Sequence, residues 1–124
     1  MSVLDIATRG SAGHEIRTLN AFVIEPFKIK IISTGVHLNL PDNYYAHILP
    51  KSGLALKGIH VMGGVCDPDY KGEYMVILNN LGKDSVYFVP QQSIAQIVLI
   101  PFIHLDNANH LSIKTHEGFG STNQ

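Results

Sequence analysis

Four short segments carry most of the side chains able to do chemistry. The richest is Gly64-Val65-Cys66-Asp67-Pro68-Asp69-Tyr70-Lys71-Gly72-Glu73. It sets two carboxylates and a tyrosine on a Pro/Gly turn between His60-Val61-Met62 and Tyr74-Met75-Val76-Ile77-Leu78. Strand, rigid turn, strand predicts a tight β-hairpin. Asp, Pro and Gly are also the residues of an ordinary solvated turn, so this stretch alone does not specify a site. The second segment, Pro50 to Gly58, predicts one helical turn capped by Ser52 and ended by Gly58. Free N–H groups at a helix start, a hydroxyl and the neighbouring Lys51 make a phosphate cradle, and an ordinary capped turn has the same parts. The third is the tail Glu117-Gly118-Phe119-Gly120-Ser121-Thr122-Asn123-Gln124. It reads either as a frayed terminus or as an anion nest whose ring can stack on a base, worth ~1–3 kcal/mol. The fourth is Gln96, the lone polar residue in Ile94 to Ile100. A buried amide must be hydrogen-bonded, here to neighbouring backbone or to a water or phosphate oxygen in a site.

The elements that position these groups are strands. Phe22-Val23-Ile24, Lys28 to Ile31, Val36 to Leu40, Tyr44 to Leu49 and Ser85 to Val89 alternate or run apolar, with turn residues between them. In Val36-His37-Leu38-Asn39-Leu40 the three apolar residues share one face. Short strands at this spacing predict an all-β sandwich or barrel, with no helix of useful length. The run Ile94 to Ile100 predicts a strand buried on both faces, with another subunit as one cover.

Composition narrows the function classes. At 124 residues the chain predicts a single domain, residues 1–124, large enough for one core. A net charge of −1 argues against binding nucleic acid or a membrane surface, both of which need a basic field. A single cysteine, Cys66, excludes an internal disulfide and a cysteine zinc cluster and fits a reducing compartment. It follows an apolar strand and reads as a core residue rather than a nucleophile. The seven histidines lack metal-ligand spacing and read as surface or turn residues. No apolar run long enough for a membrane span and no leader is visible, so the expectation is a soluble intracellular protein.

In their order along the chain, these segments resemble the five motifs of the trimeric dUTP pyrophosphatases (dUTPases). Ser11-Ala12-Gly13-His14-Glu15-Ile16 is similar to Ala-Gly-Tyr-Asp-Leu, and Pro50 to Lys57 to Pro-Arg-Ser-Gly-Leu-Ala-x-Lys. Gly64 to Gly72 matches Gly-Val-Ile-Asp-x-Asp-Tyr-x-Gly except for Cys66. Ser93 to Gln96 is similar to Arg-Ile-Ala-Gln, and Gly118 to Thr122 matches the core of the fifth motif. The matches span residues 11 to 122.

The resemblance implies a jelly-roll-like β fold with a flexible C-terminal arm from about residue 102, a homotrimer with shared active sites, and dUTP as substrate. It implies that Asp67 activates the attacking water and that Tyr70 packs under deoxyribose, leaving no room for a 2′-hydroxyl. Ser52 and the N–H groups from Gly53 on hold the phosphate chain, with Lys51 as a nearby cation. Gln96 contacts phosphate or positions the water. Main chain around Gly64 and Met75 reads uracil. Phe119 closes over the base, and Gly120, Ser121 and Thr122 over the phosphates, with Lys114 at the outer phosphates. Mg²⁺ rides on the triphosphate and touches Glu15 only through water. The product dUMP feeds dTMP synthesis, and removing dUTP limits uracil in DNA, in cytoplasm or in the nucleus of a eukaryotic host. An arm of residues 102–117, extended at ~3.3 Å per residue, reaches roughly 50 Å, enough to close over a neighbour's site.

The chain departs from the family pattern at Glu15 for aspartate, Lys51 for arginine, Lys114-Thr115 for Arg-Gly, and Asn123 for glycine. These departures motivate an alternative, a dUTPase-like protein with weak or lost catalysis that binds a regulatory partner. The related dCTP deaminases carry a catalytic glutamate where this chain has Ile77, and Gly-Phe where it has Asp69-Tyr70.

Overall fold

The computed structural model of the chain describes residues 4–105. Ten strands and one helical turn follow in order within them: β1 (Asp5–Ile6), β2 (His14–Arg17), β3 (Phe22–Ile24), β4 (Ile29–Ser33), β5 (Tyr44–Leu49), α1 (Ser52–Ala55), β6 (Ile59–Met62), β7 (Val65–Cys66), β8 (Met75–Asn80), β9 (Val86–Phe88) and β10 (Ser93–Pro101). They form a five-stranded sheet in the order β1-β2-β10-β5-β7, a pair β3-β9, and a three-stranded sheet β4-β8-β6. Every pairing is antiparallel. Ile16, Ala46, Ile48 and Ile97 of the first sheet, Ile24 and Phe88 of the second, and Val61, Val76 and Leu78 of the third meet in one apolar cluster. The fold is all-β, as the alternation predicts, and jelly-roll-like, as the resemblance implies. No helix among the described residues is long and apolar enough to cross a membrane.

Strand β10 lies at the centre of the large sheet, and a local irregularity accounts for part of its apolar run. Its register with β2 shifts between Ser93 and Ala95, a β-bulge. A bulge turns two successive side chains to one face, and Ile94 and Ala95 are both buried. Beyond Ile97 burial lapses, and Leu99 is 41% exposed.

Two other local readings change. Val36, Leu38 and Leu40 do turn inward while His37 and Asn39 stay exposed, yet the segment joins no sheet. Its backbone is satisfied group by group instead: Tyr74 N–H donates to the Val36 carbonyl (2.8 Å) and Val36 N–H to the Thr34 hydroxyl (3.1 Å), which itself donates to the Tyr74 carbonyl (2.6 Å). Strands β6 and β8 pair as predicted, with Met62 opposite Ile77, but their connection is no tight turn. It crosses to the large sheet, where β7 pairs with β5, Cys66 opposite Ala46. Gly63 and Gly64 make the crossing at φ 68° and 108°, backbone that other residues rarely adopt. A Cβ on Gly64 would also stand 2.6 Å from the Ile48 carbonyl oxygen.

Asn80 is fully buried at the end of β8 and binds three separate backbone groups. Its Nδ2 donates to the carbonyls of Ile24 and Asp84, and its Oδ1 accepts from Gly82 N–H, each at 2.9 Å. Replacing it with an apolar residue strands all three. Asn80→Leu is expected to lower stability by about 2–4 kcal/mol, read as an earlier urea midpoint with unchanged slope.

Candidate active site

The strand pairing assembles the first cluster. On β10, Gln96 lies opposite Glu15 of β2 on one side and Leu49 of β5 on the other. Its Nε2 donates to the Pro50 carbonyl at 2.9 Å. Its Oε1 occupies the space where a side chain on residue 13 would be: a Cβ on Gly13 would collide with it and stand 3.0 Å from Gln96 Cβ. Glu15 Oε1 accepts from Lys51 Nζ at 3.1 Å, with Arg17 Nη2 at 4.0 Å from the same oxygen. The Ser93 hydroxyl beside it and then the Lys51 ammonium hold the Glu15 carboxyl below its ordinary range, against the opposing effect of burial. Arg17 is itself held by the Gln91 carbonyl (2.9 Å) and by Asp5 (3.8 Å).

Helical turn α1 starts one residue earlier than the sequence suggests. Lys51 takes the capping position in extended conformation, and no side chain caps the turn. Ser52 is therefore the first helical residue, and its hydroxyl is not spent on capping. Leu54 and Ala55 N–H both donate to the Lys51 carbonyl, which leaves the amides of Ser52 and Gly53 outside the turn's own bonding. Gly58, at φ 89°, ends the turn as expected.

The second cluster is a pocket of about 270 Å³ lined by Val65, Cys66, Asp67, Tyr70, Glu73, Tyr74 and Met75. Tyr70 N–H donates to the Asp67 carbonyl (3.1 Å), closing a turn over Pro68-Asp69. The Tyr70 hydroxyl donates to the Glu73 carbonyl at 2.7 Å. The ring lies so near residue 72 that a Cβ on Gly72 would stand 2.7 Å from its Cζ. Gly64 leads into this wall, its carbonyl accepting from Ile48 N–H at 2.8 Å. Burial, and then the charge of Asp67, push the Cys66 thiol up, so it stays protonated; it packs against the core only half-buried, as part of the pocket wall rather than as the core residue expected.

Glu73 is the residue sequence reasoning overlooked. Its Oε2 accepts from Thr34 N–H (3.0 Å) and Gly35 N–H (2.8 Å), clasping the loop to the segment after β4. A carboxylate ending a Pro/Gly loop is a weak signal, because its partners are backbone amides almost forty positions away.

Glu15, Lys51 and Gln96 thus gather at one place, with Ser52 and Gly53 following, while Asp67, Tyr70 and Met75 gather in the pocket. None of the first five lines the pocket. Lys114, Phe119, Gly120, Ser121 and Thr122 lie outside the described residues. A larger cavity of about 640 Å³ between residues 55–58 and 82–87 contains none of the expected residues. Among the described residues no three His, Cys, Asp or Glu side chains converge as metal ligands. Glu15, already paired with Lys51, is a donor set suited to a cation arriving on a phosphate ligand rather than to a resident one.

A family model for dUTPase matches residues 1–123. The deoxyuridine 5′-triphosphate nucleotidohydrolase of Hydrogenobaculum sp. (strain Y04AAS1) is 40% identical, covering 94% of this chain and 86% of that protein. The enzyme of the same name from Vaccinia virus (strain Copenhagen) is 36% identical over 91% of this chain and 80% of that protein. Among solved structures, native EIAV dUTPase superposes with a TM-score of 0.77 at 26% identity, covering 87% of this chain and 93% of that one. A mutant dUTPase of phage phi11 of S. aureus, solved for its coordination of a structural Mg(II) ion, gives 0.79 at 16% identity, covering 91% and 90%, and shares the fold.

Because folding lowers the Glu15 carboxyl below its ordinary 4.5, the ionised form favours the fold above that pH. The contribution fades as pH falls through the folded value. Glu15→Gln is therefore expected to be less stable than wild type at pH 7, with the gap closing as pH falls below 4.5 and through the lowered folded value. Urea midpoints across that range measure it, and a gap that persists in acid would remove the ion pair as the cause.

Proposed function

The chain belongs to the dUTPase family, and on that premise we propose that it is a dUTP diphosphatase, hydrolysing dUTP to dUMP and pyrophosphate. The observation that carries the reading is the division of the motif residues into two half-sites of matched chemistry. One is a pocket with a carboxylate and an exposed tyrosine ring. The other is a cationic, amide-rich corner around Lys51, Ser52 and Gln96.

In this reading Asp67 orients a water toward the α-phosphorus and takes its proton, general-base help worth ~10²–10⁴-fold. Tyr70 packs under the deoxyribose. Main chain near Gly64 and Met75 pairs with uracil, Gly64 keeping one carbonyl lone pair free beside its bond to Ile48. The amides of Ser52 and Gly53 and the Ser52 hydroxyl grip the phosphates, and donors fixed in advance stabilise the charge that builds on phosphate oxygens. Lys51 exchanges Glu15 for a phosphate oxygen. Gln96, with its Nε2 held by Pro50, presents its carbonyl side to the water. Glu15 would contact a Mg²⁺ bound to the substrate only through water, and that ion would supply charge to neutralise the triphosphate. Lys114, Phe119, Gly120, Ser121 and Thr122, on an arm from about residue 102 of the single 1–124 unit, close the site. The reaction takes place in a soluble intracellular setting, feeds dTMP synthesis and keeps uracil out of DNA.

In this reading the half-sites come together where copies of the chain share them, as in a homotrimer. The outward face of β4-β8-β6 supports that assembly. Ile31, Ile77 and Met62 lie side by side across the sheet, with Ile29 and Met75 on the same face, and Ile29 and Ile31 are 59% and 62% exposed. A contiguous apolar face of this kind marks an association surface, and through Met75 it borders the pocket. The second reading, a partner-binding protein with weak catalysis, draws on the Lys51–Glu15 pair at 3.1 Å, which holds the phosphate-gripping cation.

Pyrophosphate release with Mg²⁺ from dUTP, dCTP, dTTP and UTP separates the two. Release from dUTP alone is expected; silence on all four from a folded protein that binds dUTP would favour the partner-binding reading. Asp67→Asn is expected to cut turnover at least ~10²-fold while nucleotide still binds. Refolding a mixture of Asp67→Asn and Gln96→Ala chains is expected to recover activity absent from either alone, because some shared sites then draw both intact groups. No recovery would mean that each chain completes its own site.

A further inference from the structure

One side chain of the Asp67 pocket has no part in the proposed reaction. Tyr74 is 1% exposed, and its ring lies against that of Tyr70, which is 46% exposed. The centroids are 6.1 Å apart and the planes 25° apart, an offset stack. The Tyr74 hydroxyl is buried without a hydrogen-bond partner among the described residues. An unpaired buried hydroxyl weakens the fold, and an aliphatic residue would fill this position without that penalty. What tyrosine adds is a broad flat face.

Tyr70 needs one. Its hydroxyl is tethered to the Glu73 carbonyl, and its edge lies over Gly72, where a Cβ would clash. Those contacts fix the far end of the ring and its position in plane, while its tilt is set by the surface behind it. Tyr74 supplies that surface and is itself rigid: Val36 accepts from its N–H and Thr34 donates to its carbonyl. We infer that Tyr74 is a positioning residue for sugar selection, holding the Tyr70 ring at the tilt that admits a 2′-deoxyribose and excludes a 2′-hydroxyl. The inference rests on the reading of Tyr70 as the sugar-facing ring.

The test compares wild type, Tyr74→Phe and Tyr74→Leu by calorimetric titration with dUMP and UMP, beside turnover of dUTP and UTP. Tyr74→Phe keeps the flat face and loses only the unpaired hydroxyl. It is expected to retain the wild-type dUMP/UMP affinity ratio with an equal or higher melting temperature. Tyr74→Leu removes the face and is expected to reduce that ratio by about tenfold or more, with UTP turnover rising relative to dUTP. Tyr74→Met takes its place if the leucine chain does not fold. A folded Leu or Met variant with the wild-type ratio overturns the inference and leaves the Tyr70 reading intact. Wild-type protein that binds dUMP and UMP equally overturns both. Titration needs no catalysis, so an inactive protein still decides the question.

Discussion

The side-chain amide of Gln96 fixes the geometry on which the rest of one half-site depends. It sits on the central strand of the largest sheet, where an unpaired polar group would be expensive. Its partners must therefore come from the two flanking strands and the turns that leave them. The Pro50 carbonyl takes its donor, and residue 13 must be glycine so that its oxygen has room. Three stretches far apart in sequence, around residues 13–15, 50–53 and 96, are thereby locked against one another. The β-bulge just before Gln96 belongs to the same arrangement, because it turns Ile94 and Ala95 into the core together and leaves Gln96 between Glu15 and Leu49.

Electrostatics at this corner are balanced rather than open. Lys51 occupies the capping position of α1 in extended conformation and spends its ammonium on Glu15. The cation is thus held beside the free amides of the helical turn without being buried. Glu15 is also steadied by Ser93 and, at longer range, by Arg17. In the proposed reaction a phosphate chain would meet amide donors, a free hydroxyl and a cation that trades Glu15 for a phosphate oxygen, donors that stabilise charge building on those oxygens.

The pocket half is built on a different principle. A loop of twelve residues between β6 and β8 would be too loose to hold a carboxylate and a ring in register. The chain stiffens it by lending Val65 and Cys66 to the neighbouring sheet, and by clasping its far end with Glu73 on the amides of Thr34 and Gly35. The wall is then firm on both sides of Asp67, with the ring of Tyr70 open to solvent. The apolar face of β4-β8-β6 borders this wall, so the proposed association surface and the proposed binding wall lie side by side on the same elements.

Much of this was legible in the residues themselves. Alternation gave the strands because side chains of an extended chain point to opposite faces, and the shared face it assigned to Val36, Leu38 and Leu40 does turn inward. The five motif-like segments carried the family because their glycines, hydroxyls and carboxylates occur in one order along the chain. Three features were not legible. Val36 to Leu40 has the pattern of a strand but no strand beside it, and ladder bonds need a partner that local sequence does not specify. The long loop read as a tight turn because nothing in Gly64 to Gly72 announces a pairing with β5, eighteen or more residues earlier. The division of Asp67 from Lys51 and Gln96 came only from the fold, since sequence order says which groups a chain owns. Which of them meet is decided by sheet topology, through hydrogen bonds and packing between residues that are remote along the chain.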